Sequence, residues 1–158
     1  MKDGPYFRQA ELVLRATPHV AAETCFALKG GTAINLFVRD MPRLSVDIDL
    51  AYLPADEPRE TALKKISAAL GRIAEAIKKA IPGARVQESR AQEPARIAKL
   101  IVAVGQTRIK IEPNEVIRGS VFPAEERELT PRAEELFELA VTARMREASS
   151  SVATGLMR

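Results

Sequence analysis

The stretch Arg43-Leu44-Ser45-Val46-Asp47-Ile48-Asp49-Leu50 decides how this chain is read. In an extended strand successive side chains alternate faces, so Val46, Ile48 and Leu50 enter a core while Asp47 and Asp49 project together on the opposite side. Two carboxylates held side by side repel unless a cation lies between them. Magnesium, a hard divalent ion that takes oxygen ligands from one or two carboxylates and from substrate phosphates, fits that gap, with manganese as a substitute. Upstream stands Lys29-Gly30-Gly31-Thr32. It follows the apolar run Cys25 to Leu28 and precedes a helical pattern from Thr32 to Val38, and strand, glycine turn, helix is an arrangement that cradles phosphate.

Each part has a purely structural reading as well. An Asp-x-Asp pair can sit on a solvated strand edge, and a Gly-Gly pair can be only a turn. Their order, flanking one short helix and ending on an alternating strand, favours a nucleotide and metal site. In it Asp47 and Asp49 are the metal ligands, and Gly30 and Gly31 let backbone amides approach phosphates. Thr32 supplies a hydroxyl, Ser45 lies on the aspartate face, and Lys29, Arg43 and Lys110 are phosphate counter-charges. Glu112 is the candidate third ligand or base, because Ile109 and Ile111 take one face of their strand and leave Lys110 and Glu112 to the other.

Outward from this core the pattern is that of one α/β unit. A helical face over residues 6–16 ends near Thr17-Pro18. Residues 45–53 form a central strand. From Pro58 to Ile81, Ala62, Leu63, Ile66, Ala69, Leu70, Ile73, Ala74 and Ile77 recur at helical spacing until Pro82-Gly83 stops the run. Residues 84–89 read as a strand, and 97–104 with 108–112 as a hairpin about Gly105-Gln106. Residues 91–94 and 113–123 read as linkers, 134–146 as a last helix, and 147–158 as a fraying tail.

The 158 residues suit a single domain with a real core. With 46% hydrophobic and 28% charged residues the composition is that of a globular protein, and no apolar run is long enough for a bilayer. The N-terminal twenty residues carry scattered charges and no apolar h-region, which predicts a cytoplasmic protein. Cys25 stands alone and reads as a buried, inert thiol, and His19 as a surface residue. A net charge of +3 leans toward polyanionic partners. With five Phe, two Tyr and no Trp, a base-stacking platform has little material.

At Leu28 to Leu36, Arg43 to Leu50 and, more weakly, Ile109 to Glu112, the chain resembles the nucleotidyltransferase superfamily, and within it the AbiEii/AbiGii toxin family. The resemblance implies an α/β (α+β), polymerase-β-like fold, a mixed sheet flanked by helices. It implies magnesium-dependent transfer of NMP from a nucleoside triphosphate such as ATP to an acceptor, an RNA or tRNA 3′ end, by the toxin of a toxin–antitoxin or phage-defence system. Gly30, Gly31, Ser45, Asp47 and Asp49 carry over by position. Members of the family usually continue into a helical C-terminal half with a further lysine and aspartate, neither of which is matched here. The resemblance covers residues 26–144, so the chain reads as a truncated member. An antitoxin is the implied partner, and apolar surface left uncovered by the unmatched C-terminal half suggests a homodimer or another partner. The alternatives are a nucleotide- or protein-binding module with impaired catalysis, and a transferase whose acceptor is a protein hydroxyl.

Overall fold

The computed structural model describes residues 4–29, 47–114, 125–128, 130–131 and 142–145. In chain order the elements are α1 (Pro5–Ala21), β1 (Phe26–Lys29), β2 (Ile48–Tyr52), α2 (Arg59–Ala80), β3 (Arg85–Gln92), β4 (Ala95–Val104), β5 (Thr107–Asn114), β6 (Glu125–Glu128) and β7 (Thr142–Met145). The strands form one mixed sheet of seven, in the order β3-β4-β5-β2-β1-β7-β6. Pairing is antiparallel between β1 and β2 and within the hairpins, and parallel between β2 and β5 and between β1 and β7.

Both helices pack on one face of the sheet. The α2 residues that recur at helical spacing are all buried, from Ala62 to Ile77. They meet Leu100 and Val102 of β4, Ile109 and Ile111 of β5, Ile48 and Leu50 of β2 and Phe26 of β1, all at most 2% exposed and joined in one core. Removing this apolar surface from water is the main stabilising term. Polar links fix the helices in place. The Ile97 amide donates to Ser67 Oγ at 2.9 Å, Gln9 Nε2 to the Arg108 carbonyl at 3.0 Å, and Arg72 grips Glu23 through Nε and Nη2. Gly105, at φ 59°, supplies the left-handed turn residue that lets β4 fold back on β5 over two residues. The hairpin expected about Gly105-Gln106 is therefore present.

Four expectations are corrected. Helix α1 does not stop at Thr17-Pro18 but runs through Pro18 to Ala21. Proline removes one helical donor, yet Ala16, Thr17 and Val20 beyond or beside it are buried, and their packing outweighs that loss. Residues 91–92 and 113–114, read as linker, belong to β3 and β5. Residues 142–145, read as part of a helix, are strand β7, held by β1 on one side and β6 on the other. Cys25 is only half-buried, at the margin of the core. The central strand begins at Ile48; the remainder of the expected helix (134–141 and 146), residues 115–123 of the expected linker, the tail 147–158 and residues 30–46 lie outside the described residues. Among the described residues no helix is long and apolar enough to cross a membrane.

Candidate active site

Strand alternation puts Ile48, Leu50 and Tyr52 on the helix-covered face, none exposed by as much as 1%, and leaves Asp49 on the other. Cross-strand register then does what the local pattern cannot. Lys29 at the end of β1 stands opposite Asp49, and Asp49 opposite Glu112 of β5, so cation, anion and anion form one row across three neighbouring strands. Residues directly opposite share a face and approach to about 5 Å at Cβ, which makes them interact.

Asp47 lies immediately before β2. Its Oδ1 accepts a hydrogen bond from the Lys110 backbone N–H at 3.1 Å, so the carboxylate extends the β2–β5 ladder one step beyond the last strand pair. The same lysine turns its ammonium to Glu112, with Nζ 3.3 Å from Oε1. Lys110 thus holds Asp47 through its backbone and Glu112 through its side chain. Asp47, Lys110 and Glu112 are all half-exposed, as an open site requires.

The electrostatics follow from this crowding. Burial raises the Asp49 pKa above its ordinary value, and the neighbouring Asp47 and Glu112 raise it further, against a lowering pull from Lys29 and Lys110. The hydrogen bond and charge of Glu112, with Asp47 behind it, raise the Lys110 pKa, so its ammonium stays charged. Among the described residues three carboxylates, Asp47, Asp49 and Glu112, and two ammonium groups, Lys29 and Lys110, act on one another at this place on the sheet.

Among the described residues no three His, Cys, Asp or Glu side chains converge as a ready-made metal cage, and Glu112 is turned to Lys110. Two adjacent hard-oxygen donors nevertheless suit a magnesium ion whose remaining ligands are water and substrate phosphate. Lys29, Asp47, Asp49, Lys110 and Glu112 are thus brought together as the sequence led one to expect. Gly30, Gly31, Thr32, Arg43 and Ser45 lie outside the described residues. The link from the Lys110 amide to Asp47 was not foreseen; no local signal marks it, because it exists only through the parallel pairing of β2 with β5.

The sequence pattern described as "Nucleotidyl transferase AbiEii toxin, Type IV TA system" matches residues 12–147. The chain belongs to the AbiEii nucleotidyltransferase toxin family. The match reaches beyond residues 26–144 at both ends and takes in most of α1. No curated protein sequence matches the chain. Among solved structures it is similar to MenT4, a nucleotidyltransferase toxin from Mycobacterium tuberculosis H37Rv, with a TM-score of 0.57 and 13% sequence identity over 96% of this chain and 53% of MenT4. At that identity the likeness is one of fold, and it bears out the mixed sheet flanked by helices expected for an AbiEii nucleotidyltransferase. The chain spans about half the length of MenT4.

Proposed function

We propose that this AbiEii-family chain is a magnesium-dependent nucleotidyltransferase that moves NMP from a nucleoside triphosphate to the 3′ hydroxyl of an RNA, tRNA foremost, in the cytoplasm. The observation that carries the reading is the row Lys29–Asp49–Glu112 with Asp47 anchored beside it. Asp47 and Asp49 would hold the metal, whose chemistry when bound is to offset charge on the attacking oxygen and on the triphosphate. In the reaction the acceptor oxygen bonds to the α-phosphorus, the α–β bridging P–O bond breaks and pyrophosphate leaves. The hydroxyl proton goes to a carboxylate, for which Glu112 is the candidate, and Lys29 and Lys110 bind phosphate oxygens. Gly30, Gly31 and Thr32 would receive the triphosphate, with Arg43 as a further counter-charge and Ser45 to hydrogen-bond the triphosphate or orient a carboxylate. Such transfer rests on positioning and charge stabilisation, for which a rigid sheet face is well suited.

An antitoxin that counters the activity is the partner this family implies. The test is incubation with each labelled nucleoside triphosphate, magnesium and total tRNA, with Asp49→Ala alongside. Label that appears on tRNA with the wild type and is lost in the variant is the expected result. Magnesium-dependent triphosphate binding with no transfer to tRNA would favour a binding module, and label on protein instead would favour the protein-modifying reading.

A further inference from the structure

The face of the sheet that carries the carboxylates continues past them onto β4 and β3, away from both helices. Alternation and register settle which side chains it bears. Val86, Leu100, Val102, Ile109 and Ile111 pack on the helix side, so Arg85, Gln87 and Ser89 of β3, Lys99, Ile101 and Ala103 of β4, and Arg108 and Lys110 of β5 take the other. Ile101 pairs with Lys110 and with Gln87, Ala103 with Arg108 and with Arg85, and Ser89 with Lys99. Lys99 precedes Leu100, the partner of Ile111, and therefore borders Glu112.

Charge on this half of the face has a single sign. Among the described residues Arg85, Lys99, Arg108 and Lys110 stand on three adjacent strands, and no carboxylate joins them before Glu112. Glu88 faces α2, where it acts on Lys78. Arg85 and Arg108 are exposed and Lys99 half-exposed; Arg85 Nη2 donates to the Gly105 carbonyl at 3.3 Å, a neutral acceptor, and among the described residues no carboxylate pairs with these three side chains. Same-face neighbours along a strand are roughly 7 Å apart and strands about 4.8 Å apart, so the cations form a track rather than a single pocket. Between them lie Ile101 and Ala103, with no aromatic ring to stack on a base.

We infer that the β3–β4–β5 face is the docking track for the acceptor RNA: Arg85, Lys99 and Arg108 hold its phosphate backbone without reading its bases, and the track delivers the 3′ end to Asp47 and Asp49. This rests on the transferase reading above. A run of like cations without intervening acids complements a polyanionic strand, and a protein acceptor would not call for one. Neutralising phosphates releases counter-ions, so each contact leaves its mark on the salt dependence of binding.

The experiment is fluorescence anisotropy of a labelled single-stranded 20-nucleotide RNA and of total tRNA across a salt series, for the wild type, Lys99→Glu/Arg108→Glu, and Lys64→Glu/Lys79→Glu. The last pair makes the same change of net charge on exposed positions of α2. The expected result is affinity lowered at least tenfold in the track variant, with the slope of log K against log salt flattened by roughly 0.7 per lost phosphate contact. The α2 variant should bind nearly as the wild type does. Equal losses in both variants, an unchanged slope in the track variant, or a wild type that binds neither RNA would overturn the inference. Melting curves and magnesium–triphosphate binding of the same samples keep the two proposals apart: a track variant that binds triphosphate but not RNA supports the track, whereas a wild type that binds RNA but no triphosphate fails the transferase reading alone.

Discussion

The central strands β1, β2 and β5 present two faces made of the same few residues taken alternately, and the two have opposite demands. On one, Phe26, Leu28, Ile48, Leu50, Tyr52, Ile109 and Ile111 are at most 3% exposed and meet the helices. On the other, Lys29, Asp49, Lys110 and Glu112 are half-exposed and crowd charge against charge. The first face lowers the free energy of folding by burying apolar surface; the second raises it to keep carboxylates together near the surface. Changing one residue at a time along Ile48-Asp49-Leu50 should therefore separate stability from activity.

The largest expected effect is on the face that carries the carboxylates. Asp49→Asn should lower transfer by at least on the order of a hundredfold, since loss of one positioned charge-stabilising group commonly costs that much. The same variant should be no less stable than the wild type and should melt higher, because it removes a charge whose burial, with the repulsion of Asp47 and Glu112, outweighs the pull of Lys29 and Lys110. The sign can be worked out for pH. Asp49 has its folded-state pKa raised above the ordinary 3.8, so its contribution favours folding in full below that value and is lost as pH rises through the raised pKa. In chelator, the stability advantage of Asp49→Asn should appear across that rise and vanish at lower pH. A variant that melts lower than the wild type at neutral pH would break the contrast between the faces.

One residue further on, Leu50→Ala should do the reverse. It empties a fully buried site and should cost about 3 kcal/mol in urea unfolding, while the protein that remains folded keeps its transfer rate. Smaller again is Tyr52→Phe. The Tyr52 hydroxyl donates to Glu57 Oε1 at 2.6 Å, and its removal should cost about 1.5 kcal/mol with no effect on triphosphate binding. A large loss of transfer from Tyr52→Phe would show that the two faces are coupled through β2.

Among the described residues, the shared strand face of the carboxylates was legible beforehand because its signal is local. Asp47 and Asp49 share a face by the period of a strand, as Lys110 and Glu112 do, and neither inference needs a partner strand. Helix α2 was equally open to reading: its eight apolar positions, from Ala62 to Ile77, keep helical spacing over about four turns and are the ones found buried. Strands β6 and β7, by contrast, have four residues each. Over so short a span the helical pattern read across 134–146 hides the strand period, and pairing with β6 and β1 makes 142–145 extended. Pro18 misled for a related reason: its local penalty is real, and distant packing overcomes it.

The sequence by itself determined that carboxylates and apolar residues alternate on β2 and β5, that a long amphipathic helix follows, and that the chain belongs with the AbiEii toxins. Tertiary structure alone decided that β2 lies parallel to β5 and antiparallel to β1. That choice brings Lys29, Asp49 and Glu112 into one row and turns the Lys110 amide toward Asp47. Alternation is fixed by backbone geometry within a few residues, whereas register depends on contacts between segments from twenty positions apart, β1 with β2, to some sixty apart, β2 with β5, which form only when the whole apolar face is buried at once.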